Sequence, residues 1–169
     1  MKYLIVVDMQ KDFVDGALGT PEAVAILPRV KEKIAECRAE GGTVLFTRDT
    51  HGIDYLSSNE GKHLPVEHCI KGTDGWQIYE GLDVGDATVI DKPTFGYLGW
   101  DKHIVATPGL TIELVGLCTD ICVVSNALIL KATFPDAAVT VDSSACAGVT
   151  PASHEAALTT MRMCQIEVK

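Results

Sequence analysis

Short apolar runs rich in Val and Ile recur along this chain with helical patterns between several of them, and that alternation restricts what it can fold into. The runs are Tyr3 to Val7, Thr43 to Thr47, Ala87 to Ile90, Leu110 to Val115, Ala137 to Val141 and Gln165 to Val168. A run with no polar alternation reads as a strand covered on both faces. Val30, Ile34 and Cys37 share one helical face ahead of a Gly41-Gly42 stop, and Thr150 stands as an N-cap before a helix from Pro151 to Met163. Strand and helix in alternation predict an α/β fold of three layers, a parallel sheet with helices on both sides. With 169 residues, 47% of them hydrophobic, one core and one domain spanning 1–169 are expected, since no internal repeat or linker divides the chain.

Charge narrows the partners. A net charge of -9 speaks against nucleic acid and against an acidic membrane surface, because phosphate binding needs clustered Lys and Arg. Small-molecule chemistry is the better expectation. The apolar opening from Leu4 to Val7 is stopped by Asp8, too early for a signal-peptide core or a membrane span. A cytoplasmic setting follows, and in it the six cysteines are expected as reduced thiols.

In an open parallel sheet, ligands bind at the carboxyl ends of the strands where the strand order reverses. Chemically capable side chains fall there. Asp8 ends the first strand, Asp49 follows the second, Lys92 follows the third, and Cys122 opens the helix expected after the fourth, with Thr119 or Asp120 as its cap. A thiol in the first turn of a helix feels the positive end of the macrodipole, which favours thiolate. On spacing alone, Cys118 and Cys122 read as small core residues, and Asp8 with Lys92 as a structural ion pair or a cap. Together they also make a nucleophile, a proton acceptor and a cation. The stretch from Thr50 to Gly75 is longer than an ordinary connection, carries three His and shows little periodicity, which marks a functional loop.

Three segments carry a family resemblance. Val7-Asp8-Met9-Gln10-Lys11-Asp12-Phe13, Asp91-Lys92-Pro93-Thr94-Phe95-Gly96 and Gly116-Leu117-Cys118-Thr119-Asp120-Ile121-Cys122-Val123 resemble the signature segments of the isochorismatase-like cysteine hydrolases. The resemblance runs over nearly the whole chain. It implies a six-stranded parallel sheet of order 3-2-1-4-5-6 and a catalytic triad of Asp8, Lys92 and Cys122. It also implies a cis peptide between Leu117 and Cys118 and an oxyanion hole from the backbone N–H groups of Cys118 and Cys122.

The long loop adds Asp49, His51, Glu60 and His68, an oxygen and nitrogen donor set that suits zinc, iron or manganese. An Asp-x-His pair alone is ordinary polar loop. The nicotinamidase branch of the family carries such a pair here, and a further His in a Pro-x-His-Cys run, for which this chain has the one-residue-longer Pro65-Val66-Glu67-His68-Cys69. The resemblance therefore implies a divalent metal, zinc first, with Glu60 or else His63 completing its ligands. Phe13, Leu18 and Tyr97 resemble positions that wall the ring pocket, while Leu64 stands where the branch often has Trp. The implied activity is hydrolysis of nicotinamide to nicotinate and ammonia through a thioester, by a homo-oligomer. The alternative within the family is an amidase for another small amide or a carbamoyl substrate. A nucleotide-binding module on a Rossmann-like sheet is disfavoured, because the first strand runs into Asp8-Met9-Gln10 and not a glycine-rich phosphate loop.

Overall fold

A computed structural model describes all residues 1–169. Six strands form one sheet: β1 Lys2–Val7, β2 Thr43–Asp49, β3 Thr88–Lys92, β4 Thr111–Leu117, β5 Ala138–Ala147 and β6 Glu167–Val168. All pair in parallel in the order β3-β2-β1-β4-β5-β6, as expected. The helices are α1 Lys11–Val14, α2 Pro21–Ala25, α3 Leu27–Ala39, α4 Asn59–His63, α5 Val124–Thr133 and α6 Pro151–Met163.

The apolar runs are continuous because both faces of the sheet are covered. Along β1, Tyr3, Ile5 and Val7 belong to the core shared with Val123, Ala127 and Leu130 and with Leu158 and Met161 of α6. Leu4 and Val6 point the other way, into a core shared with Val30, Ile34 and Cys37 of α3. Each such side chain taken fully from water contributes roughly 1.5–3 kcal/mol. Burial on both faces leaves the strand ends as the sheet's exits to solvent, where polar groups can be used.

β2 and β3 run two residues past the expected ends and so include Asp49 and Lys92, and three other stretches differ as well. β5 runs on past Val141 to Ala147 through Asp142, Ser143 and Ser144. Asp142 accepts hydrogen bonds from the Ser144 N–H and hydroxyl, at 3.0 and 2.6 Å, and the β4–β5 register shifts between Leu114 and Gly116. A polar interruption that folds back on itself carries no apolar signal. β6 shrinks to two residues, because Gln165 takes a left-handed φ of +63° and Ile166 N–H bonds back to Met161 at the end of α6. The Thr50 to Gly75 stretch holds a 3-10 turn at Tyr55–Ser57 and α4, which Ser58 caps by accepting from Gly61 N–H at 2.9 Å. One turn of helix is too short to show a period.

Candidate active site

Strand register assembles the site. Asp49 pairs with Lys92 across β2 and β3, and Val7 pairs with Gly116 across β1 and β4, so the residues just beyond β1 and β4 emerge together. Gly116 is required at that exit: it has φ +116°, and a Cβ on it would lie 2.2 Å from the Val7 carbonyl oxygen. Beyond it the Leu117–Cys118 peptide is cis, and a π-helical turn, Thr119–Val123, leads into α5. Cys118 takes the N-cap position with no side-chain cap, which corrects the expectation for Thr119 or Asp120. Both have other work. Thr119 Oγ1 pairs with His154 Nδ1 at 2.8 Å, and the Asp120 carboxylate accepts from Val149 N–H at 3.1 Å.

Asp8, Lys92 and Cys122 come together in the interior. Lys92 Nζ lies 2.6 Å from Asp8 Oδ2 and donates to Cys122 Sγ at 3.4 Å and to the Thr94 carbonyl at 3.2 Å. Asp8 and Lys92 are wholly inaccessible. Asp8 holds a left-handed φ of +47°, uncommon outside Gly. Thr47 fixes it by donating to Oδ1 at 2.6 Å and accepting the Asp8 N–H at 3.2 Å. Asp8 Oδ2 pairs with the Lys92 ammonium at 2.6 Å, and a carboxylate oxygen in one such contact keeps a second lone pair for a proton.

The electrostatics correct one expectation. The helix-start position was to favour thiolate, yet burial pushes the Cys122 thiol well above its ordinary range, with the Asp8 charge adding to the rise and Lys92 opposing it. Taking the thiol out of water disfavours its charged form. Burial likewise pushes the Asp8 carboxyl up against the pull of Lys92. It would pull Lys92 down, but Asp8, Cys122 and Asp49 hold that ammonium firmly charged. Burial pushes the Cys118 thiol up to about 12. The rise at Cys122 favours the neutral thiol, and the rise at Asp8 makes its carboxyl a better proton acceptor.

Asp49, His51, Glu60 and His68 form a second cluster whose donor atoms all lie within 4.8 Å of one another. His51 Nε2 is 3.6 Å from Glu60 Oε1, and His68 Nε2 is 3.7 Å from both Asp49 Oδ2 and Glu60 Oε1. Four ligands around zinc at ~2.0–2.1 Å stand roughly 3.4 Å apart, so these spacings suit a divalent ion. His51 Nε2 and Asp49 Oδ2 are closer, at 2.9 Å. The His68 Nδ1 pairs with the Val66 carbonyl at 2.8 Å, which turns Nε2 towards the cluster. Asp49 Oδ2 faces His51 and His68 while its Oδ1 faces the Lys92 ammonium at 3.5 Å, and the set of two imidazoles and two carboxylates suits a divalent cation. Burial opposes ionisation of Asp49, but His51, His68 and Lys92 outweigh it and keep the carboxylate charged. His63 is outside this cluster: its Nδ1 pairs with the Asn59 carbonyl at 2.8 Å, leaving Glu60 as the fourth donor.

A cavity of about 800 Å³ joins the two clusters, with Cys118 and Cys122 on one side and the four donors on the other. Phe13 and Leu18 line it, and the Phe13 ring centroid lies 5.4 Å from that of His68. Tyr97 is not among its lining residues: its ring packs edge-on against Trp100 and its hydroxyl pairs with His103 at 3.2 Å. Phe95 occupies the wall instead. Sequence reading also missed Gln10, which is fully buried and ties the loop to the sheet by accepting Asp49 N–H at 2.7 Å and donating to the Asp49 and Trp76 carbonyls, each at 2.9 Å. Its signal was a polar residue just past a buried strand. Thr47 was legible too, since it shares a strand face with Asp49 two residues on.

The isochorismatase domain model matches residues 2–168. The nicotinamidase/pyrazinamidase of Mycobacterium tuberculosis is 28% identical, over 99% of this chain and 98% of its own. A crystal structure of the pyrazinamidase of Pyrococcus horikoshii in complex with zinc superposes with a TM-score of 0.87 at 29% identity, covering 99% and 98% of the two chains. The N-carbamoylsarcosine amidase from Thermoplasma acidophilum gives 0.83 at 26%, covering 99% and 95%.

Proposed function

The chain belongs to the isochorismatase family, as a nicotinamidase-like amide hydrolase, and we propose that it converts nicotinamide to nicotinate and ammonia through a thioester on Cys122. The observation that carries the reading is the single cavity onto which both Cys122 and the Asp49, His51, Glu60 and His68 cluster open. An amide bound between them has its carbonyl at the thiol and its ring towards the donors. That converts an encounter into an oriented attack.

Asp8 takes the Cys122 proton on Oδ2 as sulfur attacks the carbonyl carbon. The Lys92 ammonium, shared between Asp8 and Cys122, offsets the charge developing on sulfur. Backbone N–H groups of Cys118 and Cys122 act as the oxyanion hole, where one donor is typically worth ~3 kcal/mol. Asp8 returns its proton to nitrogen, the C–N bond breaks and ammonia leaves. Water then gives a proton to Asp8 as it attacks the thioester, and the acid and the free thiol are restored. Asp49, His51, Glu60 and His68 would hold a divalent ion, zinc first, with iron or manganese as alternatives. When bound, it supplies a Lewis-acid position for the ring nitrogen. Phe13, Leu18 and Phe95 enclose the ring.

The reading takes residues 1–169 as one domain, working as a homo-oligomer in the cytoplasm in NAD salvage. The six cysteines are all free, and no helix is long and apolar enough to cross a membrane. Zinc-loaded protein incubated with nicotinamide should release ammonia and nicotinate in equal amounts. A second reading, an amidase for a carbamoyl compound, is supported by the likeness to N-carbamoylsarcosine amidase. Ammonia from N-carbamoyl amino acids and none from nicotinamide would select it.

A further inference from the structure

The β3–β4 connection leaves Lys92 and crosses α5 before the 3-10 turn Trp100–Lys102, and Pro93 to Gly99 contains no regular element. Its partly buried backbone groups must find partners elsewhere. Asn126, wholly inaccessible and one turn after Cys122, supplies them. Its Oδ1 accepts from Tyr97 N–H at 2.9 Å and from the Trp100 indole N–H at 3.2 Å. Its Nδ2 donates to the Phe95 carbonyl at 3.1 Å and to the Cys122 carbonyl at 2.8 Å. A side-chain amide has two donors and two acceptor sites, and all are used. The opposite amide orientation would set donor against donor at Tyr97 and Trp100, so only this one satisfies the site. Gly96 brings the connection down onto the helix, since a Cβ there would lie 2.4 Å from Ile129 Cδ1. Pro93, Thr94 and Phe95 of the same connection line the cavity.

We infer that Asn126 is a positioning residue that holds the Pro93–Phe95 cavity wall and the Cys122 backbone in one frame, so that substrate and thiol meet in register. The inference rests on the amidase reading for its kinetic arm alone. Asn126→Ala removes all four hydrogen bonds. Asn126→Ser keeps one hydroxyl, which can donate or accept but is too short to span all four partners. The full-length, zinc-loaded variants are compared with the parent by amide hydrogen exchange over residues 93–100 and by nicotinamide kinetics.

In Asn126→Ala, exchange over 93–100 should accelerate at least about tenfold and KM should rise about tenfold, more than kcat per folded protein falls, because displacement of a substrate wall acts on binding geometry. Asn126→Ser should lie between the alanine variant and the parent in both readouts, and it carries the test if the alanine protein does not fold. Parental exchange over 93–100 in both variants overturns the inference. So does a parental KM with activity falling only in proportion to folded protein, the signature of a merely structural residue. If the parent itself releases no ammonia from nicotinamide, the amidase reading fails and exchange alone decides for or against Asn126.

Discussion

The two halves of the cavity are built from different materials. Asp8, Lys92 and Cys122 stand at the carboxyl edge of the sheet, just past β1, at the end of β3 and in the turn that follows β4, locked by strand register and by Thr47. His51, Glu60 and His68 come from the long β2–β3 connection, tied to the sheet by Gln10, which bonds both Asp49 of β2 and the Trp76 carbonyl, and braced within itself by the Tyr55 hydroxyl, which donates to the Leu64 carbonyl at 2.8 Å. Asp49, the last residue of β2, belongs to both, because it lies 3.5 Å from Lys92 and carries the nearer donors. The difference assigns bond-breaking to the rigid sheet edge and substrate selection to the loop. Loops on rigid scaffolds are where selection is usually built.

The largest effect should come from the sheet side. Cys122→Ala should keep the fold and lower ammonia release on the order of 10³-fold or more, since loss of a nucleophile removes the covalent route. Cys118→Ala should keep much of the activity, because only its backbone is used. Substantial turnover by Cys122→Ala would move the chemistry off the sheet edge.

Lys92→Met removes the cation that opposes the rise in the Cys122 pKa, so the thiol should move higher still and thiolate at neutral pH become scarcer. Iodoacetamide labelling at pH 7 should slow roughly tenfold for each further unit. The variant should also lose stability, since it leaves Asp8 buried without its partner, a change worth about 3–5 kcal/mol. Unchanged labelling would show that Lys92 does not govern the thiol.

On the loop side, His51→Ala should raise the KM for nicotinamide roughly tenfold or more. Labelling of Cys122 should stay within about twofold of the parent. A loss of thiol reactivity as large as the change in KM would erase the division between the two halves.

The smallest effect comes from a site remote from both. Where α3 crosses β5, burial raises the Asp142 carboxyl, but hydrogen bonds from Ser144 and Arg29 outweigh it and hold it below its ordinary value of 3.8. A folded pKa below the unfolded one gives stability that is present above the unfolded value and is lost as pH falls through the folded one. Asp142→Asn should therefore lower Tm by a few degrees at pH 7, with the gap closing below pH 3.8. The ratio of nicotinamide to benzamide turnover should not move. A gap that persists in acid would contradict the ionic account.

The two halves also differ in how far they could be read from residues. Strand ends were legible because the apolar run stops abruptly at Asp8, and Asp49 and Lys92 stand two residues beyond the runs that end at Thr47 and Ile90. The donor set of the loop was legible only through family resemblance, because Asp-x-His, Glu60 and His68 have no fixed spacing in a stretch without period. Choosing Glu60 over His63 needed the turn of α4, which directs one inwards and the other to Asn59. Tyr97 was misjudged because it lies in an irregular connection whose course Asn126 sets, and no local pattern announces a partner 29 residues away. The protonation state of Cys122 was misjudged for a different reason. Position on a helix is local, whereas desolvation is a property of the finished fold.

The claim that the sheet edge breaks the bond while the loop selects the substrate is tested most directly by one comparison. Kcat/KM is measured for nicotinamide and for benzamide, whose ring has no nitrogen, on zinc-loaded protein and after chelation. The account predicts that chelation lowers the nicotinamide value about tenfold or more while benzamide changes little. Equal loss for both substrates would contradict it and make the Asp49, His51, Glu60 and His68 cluster part of the chemistry itself.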